Sequence, residues 1–151
     1  MSTTAALLIG GVLALLLVAY VFSGNARRRA DSDPHCVTRP SLDLVKGELF
    51  RRAAAVRGTT DPAFADAASQ GVIRSVSRMI RRHHGGSHEV TCTGSIAIDL
   101  PPGVAAVGGR HSLMSAVRFK LAPAGDGSAR LMELARADAI VGPLATVTRE
   151  A

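Results

Sequence analysis

The chain is expected to fold as an α+β domain behind an N-terminal transmembrane helix, with one or two helices packed on a three- to four-stranded antiparallel sheet. Three observations carry that expectation. The first 26 residues hold no charged side chain, so every charge falls in the remainder. An amphipathic helical pattern is followed by segments whose polarity alternates with a period of two. The two cysteines, Cys36 and Cys92, fall just before that helix and inside one of those strands. A length of 151 residues allows one ordinary domain. The boundaries read as a transmembrane anchor or uncleaved signal over 1–25, a linker over 26–35, the α+β domain over 36–142 and a tail over 143–151.

Ala5 to Phe22, "AALLIGGVLALLLVAYVF", consists of apolar side chains and glycine. Eighteen helical residues rise about 27 Å, close to the hydrocarbon thickness of a bilayer. A helix also satisfies its own backbone hydrogen bonds, as lipid demands. Tyr20 and Phe22 fall at one end, where an aromatic belt lies, and Arg27, Arg28 and Arg29 stop the run. A cleaved signal would carry Lys or Arg before its apolar core, and "MSTTAA" has neither, so an uncleaved anchor is favoured over a cut after Ser23 or Ala26. Ala6, Gly10 and Ala14 form a small-residue face, a common feature of such spans.

The side of the membrane is contested within the sequence. Three arginines after the span favour a domain kept in the cytoplasm. Two cysteines without a CxxC neighbour favour one disulfide and hence an oxidising compartment. Two unrelated buried thiols are the alternative. The disulfide is preferred, which places the domain in the periplasm or outside the cell.

The soluble part begins with a polar linker, "ADSDPH". In Pro40 to Arg57, Leu42, Val45, Leu49, Ala53 and Val56 recur at helical spacing, with Ser41 as the expected cap and Gly58 as the stop. Arg51, Arg52 and Arg57 sit where cations suit the helix dipole. Asp61 and Pro62 open a second, short helix that ends at Gly71. Val72 to His84 fits either a helix or a strand, and the strand is preferred because the next segment, His88 to Leu100, is itself a strand. That segment alternates, with Val90, Cys92, Gly94, Ile96 and Ile98 inward and Thr91, Thr93, Ser95 and Asp99 outward. "HGGSH" between the two segments therefore reads as a hairpin turn. Pro101 and Pro102 break the strand, and a loop leads to a third strand over His111 to Leu121. "APAGDGSA" is a turn, and Arg130 to Ile140 reads as a closing strand in preference to a helix.

The order of a hydrophobic N-terminus, a cysteine before an amphipathic helix and a second cysteine in "VTCTGSI", Val90 to Ile96, resembles small exported bacterial domains of unknown function. These are membrane- or lipid-anchored. The resemblance implies a cystatin-like helix on an antiparallel sheet and brings no catalytic residues. The chain departs from it in having no lipid-accepting cysteine near its start and a long loop over 101–110.

Little in the sequence points to catalysis. GxSxG, SxxK and HExxH are absent, and no glycine-rich loop precedes a helix. His83, His84 and His88 with Glu89 invite a metal reading, but on a strand His83 and His84 face opposite ways. No metal and no cofactor is expected. Arg74, Arg78, Arg81 and Arg82 form a run without an acid until Glu89 and are the candidate basic contact surface, with Arg74, Arg78 and Arg82 sharing a strand face. One Tyr, four Phe and no Trp give nucleic acid no stacking platform. The expected partners are the membrane, through residues 5–22, and an envelope protein or anionic surface. The expected function is a non-enzymatic, membrane-tethered periplasmic binding or structural domain. The alternative is a cytoplasm-facing anchored domain whose arginine-rich strand contacts anionic lipid or nucleic acid.

Overall fold

A computed structural model describes residues 35–151, so the expected membrane span lies outside the described residues. Within them no helix is long and apolar enough to cross a membrane. The domain is α+β, with three helices on an antiparallel sheet.

Helix α1 spans Arg39–Arg57. Its cap is Thr38 and not the expected Ser41: Thr38 Oγ1 accepts the Ser41 N–H at 3.4 Å and donates to the Ser41 hydroxyl at 2.8 Å. Ser41 is thereby folded into the first turn and buried. Leu42, Val45, Leu49 and Ala53 are buried as their spacing predicts, but Phe50 takes the core position expected of Val56, which is 66% exposed. Helix α2, Pro62–Gln70, is capped by Asp61, whose Oδ1 accepts the Phe64 N–H at 2.9 Å. Phe50 and Phe64 meet edge to face at 5.5 Å and join the two helices.

The expected single strand over Val72 to His84 is two strands, β1 (Val72–Ser75) and β2 (Ile80–His83). Both pair with β3 (Val90–Asp99). Ser75 lies opposite Ile96 and Ile80 opposite Thr93, so Val76 to Met79 bulge out opposite Gly94 and Ser95 alone. Val76 N–H donates to Ser95 O at 3.0 Å, and Ser95 N–H to Ser77 Oγ at 2.8 Å, so the bulge is pinned from both sides. Gly94 leaves room for it: a Cβ there would lie 2.5 Å from Met79 Sδ, so the Met79 side chain would have to move. The register shifts by two residues, an even number, so side chains before and after the bulge keep their faces.

Strand β3 is central and pairs along its whole length with β5 (Ser112–Pro123), which pairs in turn with β6 (Ala129–Ala135). Val90, Cys92, Ile96, Ile98, Leu113, Val117, Phe119, Leu121 and Leu134 line the core face. Helix α1 crosses this face, touching β1 on one side and β6 on the other.

The C-terminal stretch read as a tail from 143 is part of the core. Helix α3, Asp138–Ala145, packs on α1 and β5, and Ile140, Val141, Leu144 and Val147 are all buried. Their spacing is helical; "GP" at Gly142 and Pro143 hides it, since Pro143 sits inside the helix. The closing strand accordingly ends at Ala135 and not at Ile140. A short strand β4 (Val104–Ala105), within the expected loop, pairs with β7 (Thr148–Arg149) and ties the end of the chain down.

Candidate binding surface

Cys36 and Cys92 form a disulfide with a Cα–Cα distance of 5.7 Å. Both are buried, Cys92 completely. The inward face predicted for Cys92 is the face it takes, and the bond fixes the chain just before α1 to the middle of the sheet.

The opposite face of the sheet carries no helix of the described residues. Along β5, Ser112, Met114, Ala116 and Arg118 alternate outward and exposed between buried neighbours. Two rows of outward residues cross four strands. One runs Ile80, Thr93, Arg118, Ala135; the next runs Arg82, Thr91, Lys120, Glu133. All of these but Ala135 line a shallow cleft of about 440 Å³. Val72, Ile80 and Met114 add exposed apolar area to the same face, at 59%, 59% and 66% exposure.

The electrostatics differ from cation to cation. Arg74 Nε binds Asp99 at 2.7 Å, and Ser112 Oγ donates to the same carboxylate at 2.6 Å. These contacts, Arg74 first, hold the Asp99 carboxyl below its ordinary range. Lys120 Nζ lies 2.6 Å from Glu89, whose carboxyl is lowered by that contact. Arg82 and Arg118 form no ion pair among the described residues, so their charge is available to a ligand. Thr91 and Thr93 stand between them and supply hydroxyls. An oxyanion placed here would meet two guanidinium groups and the Thr93 hydroxyl, with Lys120 held by Glu89 and the Glu133 carboxylate at the β6 side of the cleft.

The four arginines singled out from the sequence do not form one surface. Arg74 and Arg82 lie on the uncovered face. Arg81 is opposite Cys92, on the helix side, and its Nη1 donates to His35 Nδ1 at 3.1 Å. Arg78 sits in the bulge rather than on the strand face it was expected to share, and with Arg81 borders the disulfide end. Arg118 and Lys120 are the members that the sequence reading missed. Their signal is the alternation in "VRFKL", where buried Val117, Phe119 and Leu121 force both cations outward.

The histidine-rich stretch is a turn, as its glycines predict. His84 N–H donates to Glu89 O at 3.2 Å, and Gly86 takes a φ of 78° that favours glycine. His84 Nε2 and Thr91 Oγ1 lie 2.6 Å apart at the stem. Among the described residues no group of three His, Cys, Asp or Glu side chains is placed to hold a metal ion.

No family model, curated protein or solved structure matches this chain.

Proposed function

We propose that this protein is a non-enzymatic, membrane-tethered domain of the cell envelope that binds an anionic partner on its uncovered sheet face. The observation that carries the reading is the pair Arg82 and Arg118, which form no ion pair among the described residues and are set around Thr91 and Thr93 in an open cleft. Guanidinium groups stay charged at every physiological pH, so they hold and orient anions but do not shuttle protons. That chemistry suits recognition better than turnover. The buried disulfide supports an address outside the reducing interior. The apolar run over residues 5–22 supports the tether. The resemblance to small exported anchored domains supports the same assignment.

The face is tested with fluorescent poly-glutamate as an anionic polymer and the full chain in detergent. The unaltered protein is expected to bind, with affinity falling as salt rises. Arg82→Glu with Arg118→Glu is expected to weaken binding at least tenfold, while Arg51→Glu on α1 leaves it unchanged. Equal loss in both variants would show only bulk charge at work and would remove the assigned face.

A further inference from the structure

The disulfide also fixes where the N-terminal part of the chain joins the domain. Cys36 is held on Cys92, so His35, to which residues 1–34 are attached, lies alongside β2. The surface around that point is cationic and partly apolar. His35, Val37, Ser77, Arg78, Met79 and Arg81 line a cleft of about 420 Å³, with no acidic side chain among them. Val37 is 56% exposed beside the buried disulfide. All four residues of β2 are exposed.

We propose that this end of the domain rests on anionic phospholipid headgroups, with Arg78 and Arg81 at the phosphates and Val37 at the interface. The inference rests on the tethered reading of residues 5–22. Twelve residues, 23–34, separate that run from His35. Twelve residues reach at most about 40 Å in any conformation. The patch at His35 is therefore held close to the lipid surface at high effective concentration. A guanidinium matches a phosphate in fork geometry. Each cation near an anionic surface raises partitioning about fivefold. Orientation comes from the sheet, because β3 runs from Cys92 beside the patch to Asp99, seven residues or roughly 23 Å away along the strand. Val107 lies in the connection between the Asp99 end of β3 and the start of β5. The contact needs only anionic lipid, so it does not depend on which side of the membrane the domain occupies.

The absence of tryptophan makes the test direct. The full chain is placed in phosphatidylcholine nanodiscs with and without phosphatidylglycerol, doped with a headgroup-nitroxide lipid. Val37→Trp reports the patch, and Val107→Trp, at a site 58% exposed, reports the far end. In phosphatidylglycerol discs the V37W emission is expected to be quenched and blue-shifted, and the V107W emission unaffected. Adding Arg78→Glu and Arg81→Glu to V37W should restore emission. Arg78→Gln with Arg81→Gln should restore it in part, and thermal melts of both pairs check that the domain is folded. Equal quenching of both reporters, quenching undiminished in pure phosphatidylcholine, or quenching that survives charge reversal each overturns the proposal. Insertion is read separately by resistance to alkaline extraction. Inserted chain with unquenched V37W removes the docking and leaves the tether; chain that fails to insert removes both.

Discussion

Arg57 joins three helix ends. Its Nη1 donates to Ala145 O at 3.1 Å, an open carbonyl at the C-terminus of α3, and to Val147 O at 2.7 Å, two residues past it. Its Nη2 binds Asp61, the cap of α2, and its guanidinium lies 5.6 Å from the Phe64 ring centroid. The side chain is 14% exposed, so these bonds form largely out of water. From the sequence, Arg57 is only one of three cations suited to the end of α1. The structure separates them: Arg51 pairs with Glu48 on the surface, Arg52 reaches Leu134 O at 2.9 Å, and Arg57 closes the junction. Arg57→Ala is expected to cost about 2–4 kcal/mol, since it strands buried carbonyls as well as losing bonds. Arg57→Lys should recover less than half, because an ammonium cannot reproduce the planar fork. Urea denaturation of both variants measures this, with Arg39→Ala, whose side chain is 94% exposed, as the surface control expected to change stability by less than about 0.5 kcal/mol. Equal stability of Arg57→Lys and the unaltered protein would show that charge alone suffices at the junction.

At the scale of elements, the disulfide staples α1 to β3 across 56 residues of sequence. Closing a loop of that size stabilises the domain by about 4 kcal/mol on the chain-entropy account. Cys36→Ala with Cys92→Ala is expected to lose about that much in urea unfolding, and the unaltered protein under reducing agent should behave alike. A loss under 1 kcal/mol would mean that α1 packs as well without the staple. The helices α1 and α2, the hairpin and the face of β3 were legible in the sequence because each carries a local signal: an apolar period, a cap, a glycine turn. Three features were not. The bulge at Val76 to Met79 depends on Gly94 and Ser95, which lie 15 or more residues away in the chain, so no local pattern reveals it. Helix α3 is masked by Gly142 and Pro143, residues that a short helix tolerates when Ile140, Leu144 and Val147 are all buried against its neighbours. The basic surface was read along one strand, whereas the sheet builds it across β2 and β5. Arg118 and Lys120 enter through strand order, and Arg81 leaves through its pairing with Cys92.

For the molecule as a whole, the charge distribution sets how stability responds to acid. Glu48 is held at about 2 by its hydrogen bonds to Arg51 and Arg52. Asp99 and Glu89 are lowered by Arg74 and Lys120. A carboxyl whose folded pKa is depressed stabilises the fold above its unfolded value, near 4.5 for Glu48, and loses that contribution as pH falls toward the folded value. The urea midpoint is therefore expected to be flat above about pH 5 and to fall toward pH 2. Glu48→Gln should shallow that fall without changing its sign. A midpoint that rises on acidification would contradict the assignment of these ion pairs. The larger claim is the address: a domain closed by a buried cystine and held at the membrane, outside the reducing interior. The test that bears on it most directly is thiol alkylation in intact cells, quenched in acid and run with and without prior reduction. Cys36 and Cys92 are expected to take up a membrane-permeant maleimide only after reduction. Both thiols labelled without reduction would place the domain in the cytoplasm and contradict the account.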